Sequence, residues 1–136
     1  MKTIRILALL ALVVILFSSC KKEERRVRQA ATAYLEATSA YDIDRARQYC
    51  TPEASAGLCI IKEHILPQLP PDYIQQYSQA EVKITGIEIV NDTLAKVAWW
   101  KKTPTDTYSD TLKMVNRDGQ WLADVHFVIP QELLQE

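Results

Sequence analysis

The spacing of the hydrophobic residues changes once along this chain, near Tyr77, and that change restricts the fold more than any other feature. Before it, Val27, Ala30, Ala31, Tyr34, Leu35, Thr38 and Tyr41 recur at helical spacing and form one stripe that must face a core. After it, apolar residues alternate with polar ones, the pattern of half-buried strands. Helices first and antiparallel strands afterwards describe an α+β fold, with a helical layer covering one face of a sheet.

Local signals divide each half. Asp42-Ile43-Asp44 interrupts the first stripe and can cap a short helix over residues 45–50, with Ala46, Tyr49 and Cys50 inward. Thr51-Pro52-Glu53 supplies a cap, a proline at the first helical position and an acid in the first turn of a third helix. That helix carries Leu58, Ile61, Ile65 and Leu66 inward, and Pro67, Pro70 and Pro71 stop it. Strands are expected over residues 81–90, 93–102, 107–116 and 120–128. In the first, Val82 and Ile84 share one parity and Ile87 and Ile89 the other, so a bulge or bend at Thr85-Gly86 must curve the strand. Asn91-Asp92 and Asp118-Gly119 are hairpin turns, the second the stronger signal. Trp121, Ala123, Val125 and Phe127 then share a face, and Asp124 and His126 the opposite one. Trp99 falls with Ala95 and Val97 on the concave side, which sends Trp100 outward. Trp100, with Lys102, is a candidate contact for a protein partner or a second copy, or is covered by the Pro-rich stretch 67–77.

The first 20 residues read as an address. Lys2 and Arg5 precede an unbroken apolar run of about 12 residues, from Ile6 to Phe17, and Ser18-Ser19-Cys20 follows. The run would span about 18 Å as a helix, short of a bilayer's ~30 Å core. Its end resembles the lipobox of bacterial lipoproteins. The resemblance implies a diacylglycerol thioether on Cys20, cleavage just before it and a further acyl chain on the new N-terminus. Several acyl chains anchor stably where one is marginal. The expected organisation is a signal peptide over 1–19, a lipidated cysteine and charged tether over 20–26, and one domain over 27–130. The expected location is the bacterial envelope, lipid-anchored at the outer membrane on its periplasmic face or at the cell surface. Lys21-Lys22-Glu23-Glu24 resembles the charged signal that sends some Bacteroidota lipoproteins to the surface, and it also reads as a solvated tether leading into a helix.

Loss of 19 residues leaves 117 of the 136, enough for one domain with a modest core. Without Lys2 and Arg5, 14 basic side chains face 17 acidic ones, a net charge of −3 that argues against nucleic-acid partners. With three glycines, nothing resembles a phosphate-cradling loop. No Cys-x-x-Cys occurs and His64 and His126 are far apart, so neither a metal nor another cofactor is expected. Cys50 and Cys59 can close a short disulfide loop in an oxidising envelope, or sit as two small buried hydrophobes.

The long first helix, "YDIDRARQYCTPEA", the third helix and a curved sheet ending "VNRDGQWLADVHF" together resemble the nuclear-transport-factor-2-like, or SnoaL-like, cone. Within it the chain looks most like small bacterial lipoproteins bearing an uncharacterised domain of this kind. The resemblance covers residues 26–128 and rests on hydrophobic pattern and turns rather than on chemistry. It implies a cone whose mouth can accept a small ligand. Enzymes of the fold, such as ketosteroid isomerase and scytalone dehydratase, place carboxylate, tyrosine or histidine side chains inside. Here the available groups are Tyr34, His64, Asp110, Asp124 and His126. Strand parity sends Asp124 and His126 outward, His64 lies off its helix's apolar stripe, and Tyr34 reads as a core aromatic. No catalytic set is therefore expected. Tyr34 and Trp99 are the candidates to line a cavity. The expected function is binding of a partner protein or small apolar ligand, with a cavity isomerase or dehydratase as the alternative.

Overall fold

The computed structural model describes residues 2–134, without the side chains of 14–19 and 133–134. The end of the expected apolar run and Ser18-Ser19 therefore lie outside the described side chains. Helix α1 (Lys2–Ser39) is continuous through Cys20. Its first turns are exposed, with Ile4, Leu7, Leu9 and Leu10 all facing solvent. Among the described residues, no helix is long and apolar enough to cross a membrane.

The charged segment assigned to a tether is helical, and its inner turn docks on the sheet. Trp121 Nε1 donates to Glu23 at 3.0 Å, Arg26 pairs with Glu23 at 2.8 Å, and Arg26 also donates to the Gly119 carbonyl. A buried indole needs an acceptor for its N–H, and Glu23 is that acceptor. Further along, Val27, Ala31, Tyr34, Leu35 and Ala37 form the buried stripe. The helix ends with Tyr41 in the left-handed region, φ 57°. Tyr41 N–H donates to the Thr38 carbonyl at 3.1 Å, and Asp42 N–H reaches back to Ala37 at 2.9 Å. This paired closure usually places glycine where Tyr41 stands.

Asp42 caps α2 (Ile43–Ala46) by accepting from Arg45 N–H at 3.2 Å, and a 3-10 turn follows over Arg47–Tyr49. Thr51 caps α3 (Pro52–Ile60) by accepting from Ala54 N–H, also at 3.2 Å. The third helix does continue to about Leu66, but as a widened π turn over Ile61–Ile65 and a short 3-10 turn over Leu66–Gln68. The prolines do not end the helical layer as expected. Pro71 opens α4 (Pro71–Tyr77), because a first helical position has no amide bond to lose.

Four strands, β1 (Glu81–Ile89), β2 (Leu94–Lys102), β3 (Thr107–Arg117) and β4 (Gln120–Ala123), form one antiparallel meander in sequence order. The β1–β2 register slips between Ile84 and Gly86, at the parity change. Asp118 and Gly119 both take positive φ, 55° and 83°, as a tight two-residue hairpin requires. On the concave face, Ala95, Val97, Leu112, Met114, Trp121 and Ala123 join the α1 stripe and Ala46, Cys50, Ala54 and Leu58 in one core.

The last strand is shorter than the alternation predicts. β4 ends at Ala123 instead of continuing to Val128. Asp124 N–H still donates to the Lys113 carbonyl at 2.9 Å, and then the chain leaves β3. Val125 and Phe127 stay packed on the core, but the Phe127 ring lies against Gly57 of α3, so the segment crosses to the helices. β3 is thus paired with β4 only over Met114–Arg117, while β2 pairs with it from Thr107 onward. Antiparallel alternation turns the amides of Thr107, Ser109 and Thr111 toward the edge left open. Two of these are capped locally. Thr107 N–H donates to Asp106 and Thr111 N–H to Asp110, each at 2.7 Å.

Candidate functional site

Where β4 stops accompanying β3, the interior is hollow. A cavity of about 450 Å³ lies between the upper half of β3, residues 110–113, and the departing segment 124–127. α1 contributes Tyr34, Leu35 and Thr38, the turn after it Tyr41, and α2 and α3 add Ile43 and Leu58. Ile61 and Trp99 complete the wall. The volume is within the range of small-molecule sites, and the lining is mainly aliphatic and aromatic, as in such sites generally.

Two phenols set its polarity. Tyr34 is 4% exposed, its hydroxyl has no hydrogen bond to any described residue, and no fully buried polar side-chain atom among them lacks a partner. The hydroxyl therefore reaches the open space of the cavity. Burial, reinforced by the nearby Cys50 thiol, pushes its pKa well above the usual tyrosine value, so it is a protonated donor. Burial, and then the hydroxyl of Tyr73 alongside, pushes Tyr41 up to about 12. Thr38 offers less, since its hydroxyl donates back to the carbonyls of Tyr34 and Leu35 at 3.0 and 3.2 Å. At the lip, Asp110 accepts from Tyr108 Oη at 2.9 Å and from Thr111 N–H. Trp99 and Tyr108 meet edge to face, 5.6 Å between centroids.

No family model matches the sequence, and no curated protein matches it. Among solved structures, the chain is similar to an NTF-2-like protein of unknown function from Shewanella oneidensis MR-1. The TM-score is 0.53 at 19% identity, over 74% of this chain and 93% of that one. The chain has the NTF-2-like fold. Helices over one face of a curled four-stranded sheet are the α+β cone expected from the sequence.

Within this NTF-2-like cone, Tyr34 and Trp99 share the cavity wall, and Asp110, Asp124 and His126 stand at its lip. Asp124 and His126 do not make an internal acid–base pair. Asp124, 11% exposed, bonds Lys113 at 3.1 Å on the side opposite Val125 and Phe127, and His126 is 80% exposed, 3.7 Å from Asp124. His64 is half-buried and outside the lining. Trp100 is half-buried on the outer face, opposite Lys83 and Ser109, and Lys102 is exposed between Glu81 and Thr107. Cys50 and Cys59 are not joined by a disulfide, Cys20 is exposed, and burial pushes the Cys50 thiol up. Among the described residues, no group of three His, Cys, Asp or Glu could hold a metal.

The sequence places Tyr41 in the core-facing stripe, but nothing in it marks Tyr41 as left-handed, and the role of segment 124–127 in walling the cavity was missed.

Proposed function

We propose that this chain is an envelope lipoprotein, held at the membrane through Cys20, whose NTF-2-like domain binds a small, mainly apolar ligand without transforming it. The observation that carries the binding reading is the hollow, apolar interior with one protonated hydroxyl, that of Tyr34, left without a protein partner. Such a cavity supplies area burial and one directional donor, which orients a ligand bearing an acceptor. Catalysis of the isomerase or dehydratase type needs a free base beside that donor. The lip carboxylates are already engaged, Asp110 by Tyr108 and Thr111 and Asp124 by Lys113, and the phenols are shifted toward donors rather than bases. The anchor reading is supported by the charged, apolar and Ser-Ser-Cys order of the first 20 residues and by the exposure of the apolar side chains in its first turns.

Native mass spectrometry of the protein released from its own membranes tests the binding reading. A bound species of a few hundred daltons that is lost when the cavity is filled by Leu58→Trp is the expected result. Empty protein, with no Trp99 fluorescence response to a panel of apolar ligands, overturns it. The anchor is tested separately: Cys20→Ser should abolish acyl labelling and release the protein from membranes, and retained labelling refutes lipidation.

A further inference from the structure

The residues just after Cys20 are fixed to the domain rather than loosely tied to it. Helix α1 runs without a break from Cys20 into the core stripe. One turn past Cys20, Glu23 accepts the Trp121 indole N–H at 3.0 Å, and Arg26, paired with Glu23, donates to the Gly119 carbonyl. Val27 follows at once and is fully buried. A helical turn rises only about 5 Å, so Cys20 and the β3–β4 hairpin are held close together. Lys21 and Lys22 alone separate Cys20 from Glu23, and both are helical, which leaves no free linker in between.

The cavity stands toward the other end of the same helix. Tyr34, Leu35 and Thr38 are its α1 walls, so it begins ~21 Å along the helix from Cys20, at ~1.5 Å per residue. The sheet runs the same way, since β3 passes from Asn116, opposite Trp121, to Asp110 at the cavity lip. Charge marks the base of the helix as well. Lys21, Lys22 and Arg25 are exposed and in no ion pair among the described residues, whereas Arg26 and Arg28 are held by Glu23 and Glu24. At about 3.6 residues per turn the three share the side of α1 away from Val27 and Ala31. Farther along that side come Gln29, Thr32 and Glu36, so the unpaired positive charge is confined to the base. Cations just beyond an anchor are drawn to anionic head groups. Asp92 and Asp118, in the hairpins at this end, keep the sheet itself from lying on such a surface, so contact falls to the base of the helix.

We propose that the first turns after Cys20 are a rigid strut that stands the domain on its filled end, with Lys21, Lys22 and Arg25 among the lipid head groups and the cavity turned to the aqueous side. A guest then reaches the cavity from water rather than out of the bilayer. The orientation rests on the reading that Cys20 carries the acyl anchor. The test places a fluorophore on Asp118→Cys, in the hairpin beside Arg26, or on Thr105→Cys, in the β2–β3 turn beyond the cavity. Cys59→Ala removes the partly exposed native thiol, and Cys50 is buried. The acylated full chain is set in nanodiscs containing phosphatidylglycerol, with a nitroxide quencher on the lipid head groups. The expected result is loss of most of the fluorescence at residue 118 and almost none at residue 105. A Gly-Ser spacer of about 12 residues, inserted between Lys22 and Glu23, is a flexible coil and should bring the two sites to similar quenching. Equal quenching at the two sites without the spacer, stronger quenching at residue 105, or a difference that survives the spacer overturns the strut while the anchor stands. A chain that takes no acyl label and leaves the nanodisc overturns the anchor, and the orientation with it.

Discussion

The two ends of the cone are built on the same face of the same sheet, yet one is filled and the other hollow. At the filled end Met114, Trp121 and Ala123 meet Val27 and Ala31 of α1, and Glu23 accepts the indole N–H. At the hollow end Trp99, Leu112 and Leu58 face open space. The composition of the two ends differs little. What differs is pairing: β4 accompanies β3 over Met114–Arg117 and then departs. A sheet whose last strand stops early leaves a gap that side chains of ordinary size do not fill. Here the site is a consequence of strand length rather than of special residues.

The contrast can be broken most severely at the filled end. Trp121→Ala should lower stability by about 3–5 kcal/mol, the range for large buried aromatics, in chemical denaturation. A loss under about 1 kcal/mol would mean that the end is not close-packed. The next effect is expected where the departing segment is held. A Cβ at residue 57 would sit 2.6 Å from Phe127 Cδ2. Gly57→Ala should therefore push the ring away, at about 1–3 kcal/mol, the usual scale of overpacking, and alter probe binding in the cavity. Unchanged melting and binding would show that Phe127 does not fix the wall.

Smaller changes sharpen the comparison. Tyr34→Phe should leave thermal unfolding almost unchanged, since no protein hydrogen bond is lost. It should weaken a ligand with an acceptor by about tenfold, roughly 1.4 kcal/mol. Glu23→Ala should cost about 1 kcal/mol, because the indole N–H loses its acceptor while staying near solvent. The bond from Trp121, and after it Arg26, holds the Glu23 carboxyl below the ordinary glutamate value. Its contribution is therefore complete above about pH 4.3 and fades as pH falls through the depressed value. Acid melts of wild type and Glu23→Ala should converge there; parallel curves down to the lowest pH contradict the linkage. Least affected should be Trp100→Ala, on the outer face, with probe binding within about twofold of wild type. Sedimentation of the same variant tests whether that face joins a partner or second copy.

Much of the filled end was legible in the sequence. The parity change located the slip at Gly86, Asp118-Gly119 fixed the phase of Trp121, and Asp42 and Thr51 announced their helices. The hollow end was less legible, for identifiable reasons. Val125 and Phe127 continue the alternation, but alternation reports which face a residue takes and not whether its backbone has a neighbour, so the end of β4 at Ala123 left no mark. Pro71 looked like a breaker and acts as a starter, because the same missing amide serves both roles. Glu23 and Arg26 sat in a run of charges that reads as solvated, although one indole 98 residues away recruits Glu23.

The open upper half of β3 has a consequence for how these molecules meet one another. An unpaired strand edge is a template on which another chain can lay a strand, and repetition of that event is how sheets grow into fibrils. Of the three amides facing outward here, those of Thr107 and Thr111 are already occupied by Asp106 and Asp110. An incoming strand must evict both carboxylates and then lie beside their charge. The shortened β4 that makes room for a guest would otherwise leave a sticky border, and two aspartates turn that border into a repellent one.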